Sequence, residues 1–267
     1  MANHKPIHPS LGQSNEPIRM LSILIPVFNE EKNIERILSL LDSIAWPVKT
    51  EWILIEDGST DKSLSVIQKC LKIYPQARLF VHKHNIGKSS AIYKGIEMAK
   101  GEIIVIQDAD LEYNPADILK LIVPLMKNEA DVVYGSRYLG RKKEYSFHTS
   151  INKFLTFLSN LFSGLKLTDM ETCYKVFRSS LLKSYRIRTL RFGFEPEITS
   201  YIAKFDVRVK ELPVSYTPRN YRQGKKIGWK DGLAALWFIF KFNFMISRED
   251  CLKEIPQEEL PKTSIAS

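Results

Sequence analysis

Four consecutive β-favouring apolar residues, Ile103-Ile104-Val105-Ile106, run through Gln107 into three acids spaced two apart: Asp108, Asp110 and Glu112. A run of that length and composition reads as a strand buried on both faces. Asn114-Pro115 then reads as an N-cap and the first residue of a new helix, so the acids sit in a short connection. Carboxylates at the carboxyl end of a buried strand lie where open α/β sheets bind ligands. Acids so close together repel unless a cation holds them, and hard oxygen donors suit Mg²⁺ or Mn²⁺. An isolated Asp-x-Asp is as a rule a solvated turn; the rest of the chain argues against that here.

The same pattern recurs upstream. Residues 21–27 read as a strand that opens into Phe28-Asn29-Glu30, and Ile34, Ile37, Leu38 and Leu41 follow at helical spacing. Residues 52–55 read as a second buried strand ending in Glu56-Asp57, with Gly58-Ser59-Thr60-Asp61 turning into a helix. A short strand over 78–81 leads through Asn85-Ile86-Gly87-Lys88 to another helix. Downstream the pattern predicts a helix over 115–128 and a strand over 131–134. Alternating strands and helices imply βαβ crossovers and a mostly parallel sheet, with polar strand ends converging along one edge. Neither G-x-G-x-x-G nor a P-loop is present, so side chains and a metal, not a glycine cradle, would hold a nucleotide.

Beyond Gly135 the character changes. A basic loop, Arg141-Lys142-Lys143, precedes a helix over 149–163; residues 169–177 return to the sheet. A helix over 194–205 carries Glu195 and Glu197, and a strand spans 207–216. Arg219, Arg222, Lys225 and Lys226 lie on a loop with Gly224 and Gly228, before a last helix near Trp229. The divisions expected are a flexible leader (1–19), a catalytic domain (20–228), an amphipathic helix (229–248) and a flexible tail (249–267).

With 267 residues, 44% hydrophobic and 26% charged, the chain can bury one large α/β core. A net charge of +9 points to an anionic partner. Acidic strand ends would repel nucleic acid, so a basic nucleic-acid-binding protein is disfavoured. Three scattered cysteines, Cys70, Cys173 and Cys251, make neither a disulfide framework nor a zinc site and suit a reducing compartment. No apolar run reaches transmembrane length.

The motifs Ile25-Pro26-Val27-Phe28-Asn29-Glu30, Glu56-Asp57-Gly58-Ser59-Thr60-Asp61, Asn85-Ile86-Gly87, Gly101-Glu102, Asp108-Ala109-Asp110 and Gly135-Ser136-Arg137-Tyr138 occur in that order. The set resembles the family 2 glycosyltransferases of the GT-A fold, nearest to dolichol-phosphate mannosyltransferase and bacterial polyprenyl-phosphate enzymes. That resemblance implies a Rossmann-like, mostly parallel sheet with helices on both faces, and a nucleotide-sugar donor. Pro26, Phe28 and Glu30 would line the nucleoside pocket with Lys88 nearby, and Asp57 would meet the base. Asp108 would face the nucleoside or sugar, and Asp110, helped by Glu112, would hold Mg²⁺ or Mn²⁺. Arg137, Arg219 and Lys226 would face acceptor phosphate, and Asp108, Asp110, Arg137 and Asp169 would form the catalytic set. Three departures stand out: Glu56-Asp57 for Asp-Asp, Glu112 for Gln, and Asp169-Met170-Glu171-Thr172-Cys173 for Asp-Pro-Met-Ser-Gly.

A hydroxyl acceptor needs a general base near neutral pKa, a role open to Asp169 or Glu171. A phosphate acceptor is already ionised and needs cations to hold it in line. The many Arg and Lys residues after Gly135 fit the phosphate better, so a polyprenyl phosphate is the expected acceptor and a glycan hydroxyl the alternative. Residues 233–246 are apolar but for Lys241 and Asn243, too short to span a bilayer. On a helical projection Lys230, Lys241 and Arg248 fall within about 20° of one another, beside Trp237. That stripe suggests docking on the cytoplasmic face of a membrane, with packing on protein or a homo-oligomer as the alternative.

Overall fold

The computed structural model describes residues 17–139, 147–219 and 229–253. The leader to residue 16, Arg141-Lys142-Lys143, Arg222, Lys225, Lys226 and the tail from residue 254 lie outside the described residues, as does the side chain of Lys230. The chain runs β1 (Met20–Val27), α1 (Ile34–Asp42), β2 (Lys49–Glu56), α2 (Ser63–Cys70), β3 (Ala77–Val81), α3 (Lys88–Met98) and β4 (Ile103–Ile106). A 3₁₀ turn (Pro115–Asp117) then leads into α4 (Ile118–Met126) and β5 (Val132–Ser136). Next come α5 (Phe147–Ser163), β6 (Lys175–Arg178), α6 (Ser179–Ser184), α7 (Phe194–Ala203), β7 (Val209–Pro213) and α8 (Trp229–Phe244).

The strands form one sheet in the order β3-β2-β1-β4-β6-β5-β7. β3, β2, β1 and β4 are mutually parallel, as are β5 and β7; β6 runs antiparallel to β4 and to β5. The sheet is mostly parallel, as the alternating pattern implied. All four residues of β4 and all five of β5 are buried. Successive side chains point to opposite faces, so both faces of the sheet are covered. The edge strands β3 and β7 have no fully buried residue, which is why their apolar signal is weak.

Two expectations need correction. Of residues 169–177 only the last three are strand, and β6 reads poorly because it carries Lys175 and Arg178. Both are buried in the sheet. Arg178 reaches Asp131 at 3.2 Å and the Leu125 carbonyl at 3.2 Å, and the ammonium of Lys175 donates to the carbonyl of Thr172. Helix α8 ends at Phe244, so Arg248 does not continue the stripe with Lys241; its guanidinium lies 4.8 Å from the Phe205 ring centre.

β1 and β4 are neighbours, and the chain leaves β1 towards β2 and β3 on one side before returning to β4 on the other. That reversal opens a crevice beyond the carboxyl ends of β1 and β4, the position where such sheets bind ligands.

Candidate active site

The connection after β1 is pinned to the connection after β2. The amides of Asn29, Glu30 and Glu31 donate to Ser59 Oγ (2.9 Å), Ser63 Oγ (2.8 Å) and Asp61 Oδ2 (3.1 Å). Asn29 takes a positive φ of 53°, a conformation that asparagine tolerates. Ser59 and Asp61 of the Glu56-to-Asp61 motif are thus spent holding Phe28 and Glu30 at the crevice. Pro26 and Phe28 are half-buried there and Glu30 is buried.

Asp57 is buried behind them. Its Oδ1 lies 2.7 Å from His82 Nδ1 and accepts from the Ile86 amide (3.1 Å). Its Oδ2 accepts from Asn85 Nδ2 and the Gly87 amide, both at 2.8 Å. Four partners fill the acceptor sites of a carboxylate, so in this arrangement Asp57 shapes the 82–87 loop. Gly87 stands at a φ of 119°, where a Cβ would lie 2.6 Å from the Arg191 backbone, so only glycine fits.

On the β4 side Lys88, the first residue of α3, reaches Asp108 at 2.9 Å and Glu195 at 3.7 Å. Burial works against charge on Asp108, but Lys88, with Cys173 and Arg219, outweighs it and holds the carboxyl below its usual range. Leu111 adopts a φ of 62° and bends the acidic turn, with Asp110 accepting from the Glu112 amide at 3.0 Å. Burial, with Asp108 and Glu112 beside it, pushes Asp110 up to about 7.

Arg219 enters this acidic group from the segment after β7. It lies 3.0 Å from Asp110, 3.2 Å from Glu30 and 3.7 Å from Glu112. Glu112 in turn holds the segment, accepting from the Arg219 amide (2.9 Å) and the Tyr216 hydroxyl (2.8 Å). Carboxylates repelling one another at a strand end have drawn in a guanidinium.

Residues 22–186 match the family model described as glycosyl transferase family 2. The chain belongs to that family. It is 28% identical over 220 residues to a dodecaprenyl-phosphate galacturonate synthase of Rhizobium johnstonii, covering 79% of this chain and 64% of that protein. It is 32% identical over 133 residues to a dolichol-phosphate mannosyltransferase of Pyrococcus furiosus, covering 49% of this chain and 37% of that one. The chain thus spans less than two thirds of either relative. Among solved structures, glucosyl-3-phosphoglycerate synthase of Mycobacterium tuberculosis, in complex with Mn²⁺, uridine diphosphate and phosphoglyceric acid, superposes with a TM-score of 0.67 at 16% identity. That match covers 85% of this chain and 79% of the other. The fold is GT-A.

In this family 2 glycosyltransferase chain the second group of expected residues lies beside β5 and β6. Arg137 makes a bidentate pair with Asp169, Nε to Oδ2 and Nη2 to Oδ1, both at 2.7 Å, and its amide donates to Oδ2 at 2.9 Å. The guanidinium also lies 5.2 Å from the Tyr216 ring centre. Both oxygens of Asp169 are therefore occupied, which suits a residue that positions Arg137 better than one that takes a proton. Glu171 is placed differently. Burial, with Glu195 next, pushes it up to about 7, and its buried Oε1 has no hydrogen-bond partner among the described residues.

Sequence reasoning missed Glu195, Lys175 and Tyr216 as neighbours of these groups. Glu195 opens α7, where an acid complements the helix dipole and signals no chemistry. Among the described residues no three His, Cys, Asp or Glu side chains are arranged to hold a metal. Asp110 and Glu112 alone are a partial set. Two carboxylates completed by substrate phosphates are the usual way Mg²⁺ is bound, and Arg219 already stands among them as a cation. The donor chemistry fits Mg²⁺ or Mn²⁺ held jointly with a diphosphate.

Proposed function

We propose that this chain is an inverting glycosyltransferase that moves a hexose from a nucleotide sugar to a polyprenyl phosphate at the cytoplasmic face of a membrane. The observation that carries the reading is the convergence of Asp108, Asp110, Glu112 and Glu30 at the β1–β4 crevice, with Asp110 pushed up to about 7 and Arg219 drawn in. Such a site is short of one mobile cation. The names of the prenyl-phosphate relatives support the acceptor class.

In this reading residues 20–228 are the catalytic domain and α8 an interfacial helix that ends at Phe244. Pro26, Phe28 and Glu30 line the nucleoside pocket, and Asp57 holds the loop that walls it. Lys88 keeps Asp108 ionised towards the sugar. Asp110 and Glu112 would hold Mg²⁺ or Mn²⁺, which offsets the charge that builds on the leaving diphosphate. Arg137, fixed by Asp169, and Arg219 orient phosphate, with Lys226 as a further cation. An acceptor phosphate oxygen attacks the anomeric carbon, the bond to the diphosphate breaks, and its electron pair leaves with the nucleoside diphosphate. No proton has to be removed.

Glu171 favours a second reading. A carboxylate near neutral pKa with an unpartnered oxygen is what a hydroxyl acceptor would require of a general base. Incubating the purified chain with a panel of nucleotide sugars, Mn²⁺ and a short prenyl phosphate tests both. Nucleoside diphosphate released only when prenyl phosphate is present supports the first reading; release only with a free glycan supports the second and overturns the first.

A further inference from the structure

Glu171 stands between two charged pairs, with Glu195 leading to Lys88 and Asp108 on one side and Arg137 to Asp169 on the other. The residue is half-buried, and its Oε1 is enclosed with no hydrogen-bond partner among the described residues. The cations around it are already committed. Arg137 gives Nε and Nη2 to Asp169, both at 2.7 Å. Lys175 donates to the Thr172 carbonyl and lies 5.1 Å from the Tyr134 ring centre. Lys88 sits 2.9 Å from Asp108, and Glu195 has no cation nearer than Lys88 at 3.7 Å among the described residues. The side chains of Lys88, Asp108 and Glu195 are 25%, 18% and 13% exposed, so the group opens on accessible space and not on the core. Enclosing a carboxylate oxygen without a donor is costly, and one left so beside a crevice calls for a ligand that donates.

Its position says which part of a substrate would meet it. In the proposed reaction, on which this inference rests, the donor diphosphate lies at Asp110 and Glu112 and the acceptor phosphate at Arg137. What has to fit between them is the transferred sugar, and its hydroxyls are donors. A hydroxyl aimed at Oε1 would supply the missing partner. A carboxylate on the sugar would instead meet Glu171 and Glu195 and find no free cation, since Lys88, Lys175 and Arg137 are engaged. Like charges set against one another are a means of rejecting a wrong ligand. Glu171 also falls in the Asp169-to-Cys173 segment, outside the motifs shared with the resembled enzymes.

We propose that Glu171, backed by Glu195, sets the sugar specificity of the donor site: its free oxygen accepts from a hydroxyl of a neutral hexose, and the two acids exclude a hexuronate. The test is isothermal titration of the full chain with Mn²⁺ and no acceptor, at pH 8, where Glu171 is ionised. Matched donors are compared: UDP-glucose with UDP-glucuronate, and GDP-mannose with GDP-mannuronate. For the base that the chain accepts, the uronate should bind about a hundredfold more weakly than its hexose partner. Glu171→Gln removes the charge but keeps an accepting oxygen, so the gap should shrink by about tenfold while hexose affinity stays within about threefold. Glu171→Asp retains the charge and should retain most of the gap. Equal affinity of the parent chain for hexose and uronate overturns the proposal, and so does a gap that Glu171→Gln leaves unchanged. With no prenyl phosphate present, a wrong acceptor assignment does not alter the result. Failure to bind any of the four donors would overturn the nucleotide-sugar reading itself, and this inference with it.

Discussion

The guanidinium of Arg219 lies 3.0 Å from the carboxylate of Asp110, although 109 residues separate them in sequence. The same guanidinium reaches Glu30, so it neutralises the carboxylates that would receive a metal. A divalent ion entering without a diphosphate must therefore compete with it. Arg219→Gln is expected to tighten binding of Mn²⁺ to the donor-free protein by about tenfold, or ~1.4 kcal/mol. Isothermal titration with MnCl₂ measures this; an unchanged or weaker affinity would show that Arg219 does not occupy the metal position.

Asp110→Asn removes a hard oxygen donor at a strand end. Transfer should fall by roughly 10²–10³-fold, the scale of losing one electrostatic partner of the transition state. The fold should not suffer, because burial and the acids Asp108 and Glu112 already disfavour charge on Asp110. Activity near that of the parent chain, with an unaltered melting curve, would remove Asp110 from the site.

Asp57→Ala should act on stability first. It leaves the amides of Ile86 and Gly87 and the side chains of His82 and Asn85 without their shared acceptor. We expect a loss of roughly 2–4 kcal/mol in a denaturant titration, with weaker donor binding as a consequence. A variant as stable as the parent but with reduced affinity for nucleoside diphosphate would instead make Asp57 a direct base contact.

Glu171 supplies a pH signature. Its pKa is raised by burial, with Glu195 next, from the usual carboxylate range to about 7. The unfolded chain therefore gives up this proton at lower pH than the native one, and native stability is lost as pH rises from the unfolded value through about 7. Glu171→Gln should raise the melting temperature relative to the parent at pH 8, with the gain shrinking towards pH 5. If prenyl phosphate is the acceptor, the same variant should keep most of its transfer rate. A collapse of transfer would make Glu171 the general base of the hydroxyl reading.

The sheet was readable because β1, β2 and β4 each carry an apolar run of at least four residues that leads towards acids, and burial on both faces leaves just that trace. β6 was hard to read because Lys175 and Arg178 are charged yet buried, Lys175 satisfied by the nearby Thr172 carbonyl and Arg178 by the Asp131 carboxylate, distant in sequence. The acids of the crevice were legible as a cluster, since Asp108, Asp110 and Glu112 are neighbours along the chain. Their partners were not. Arg219 and Glu195 reach them only through tertiary packing, and no local pattern foretells that Asp57 is saturated by the 82–87 loop or that Asp169 is taken up by Arg137.

The proposed reaction transfers a sugar onto a phosphate oxygen. It is tested most directly by mass spectrometry of the product formed from a nucleotide sugar and a short prenyl phosphate with Mn²⁺. The expected product is one hexose joined to the prenyl phosphate as an acid-labile phosphodiester, absent when Mn²⁺ is chelated and absent with Asp110→Asn. Unmodified prenyl phosphate, alongside a hexose transferred to a glycan hydroxyl under the same conditions, would contradict it.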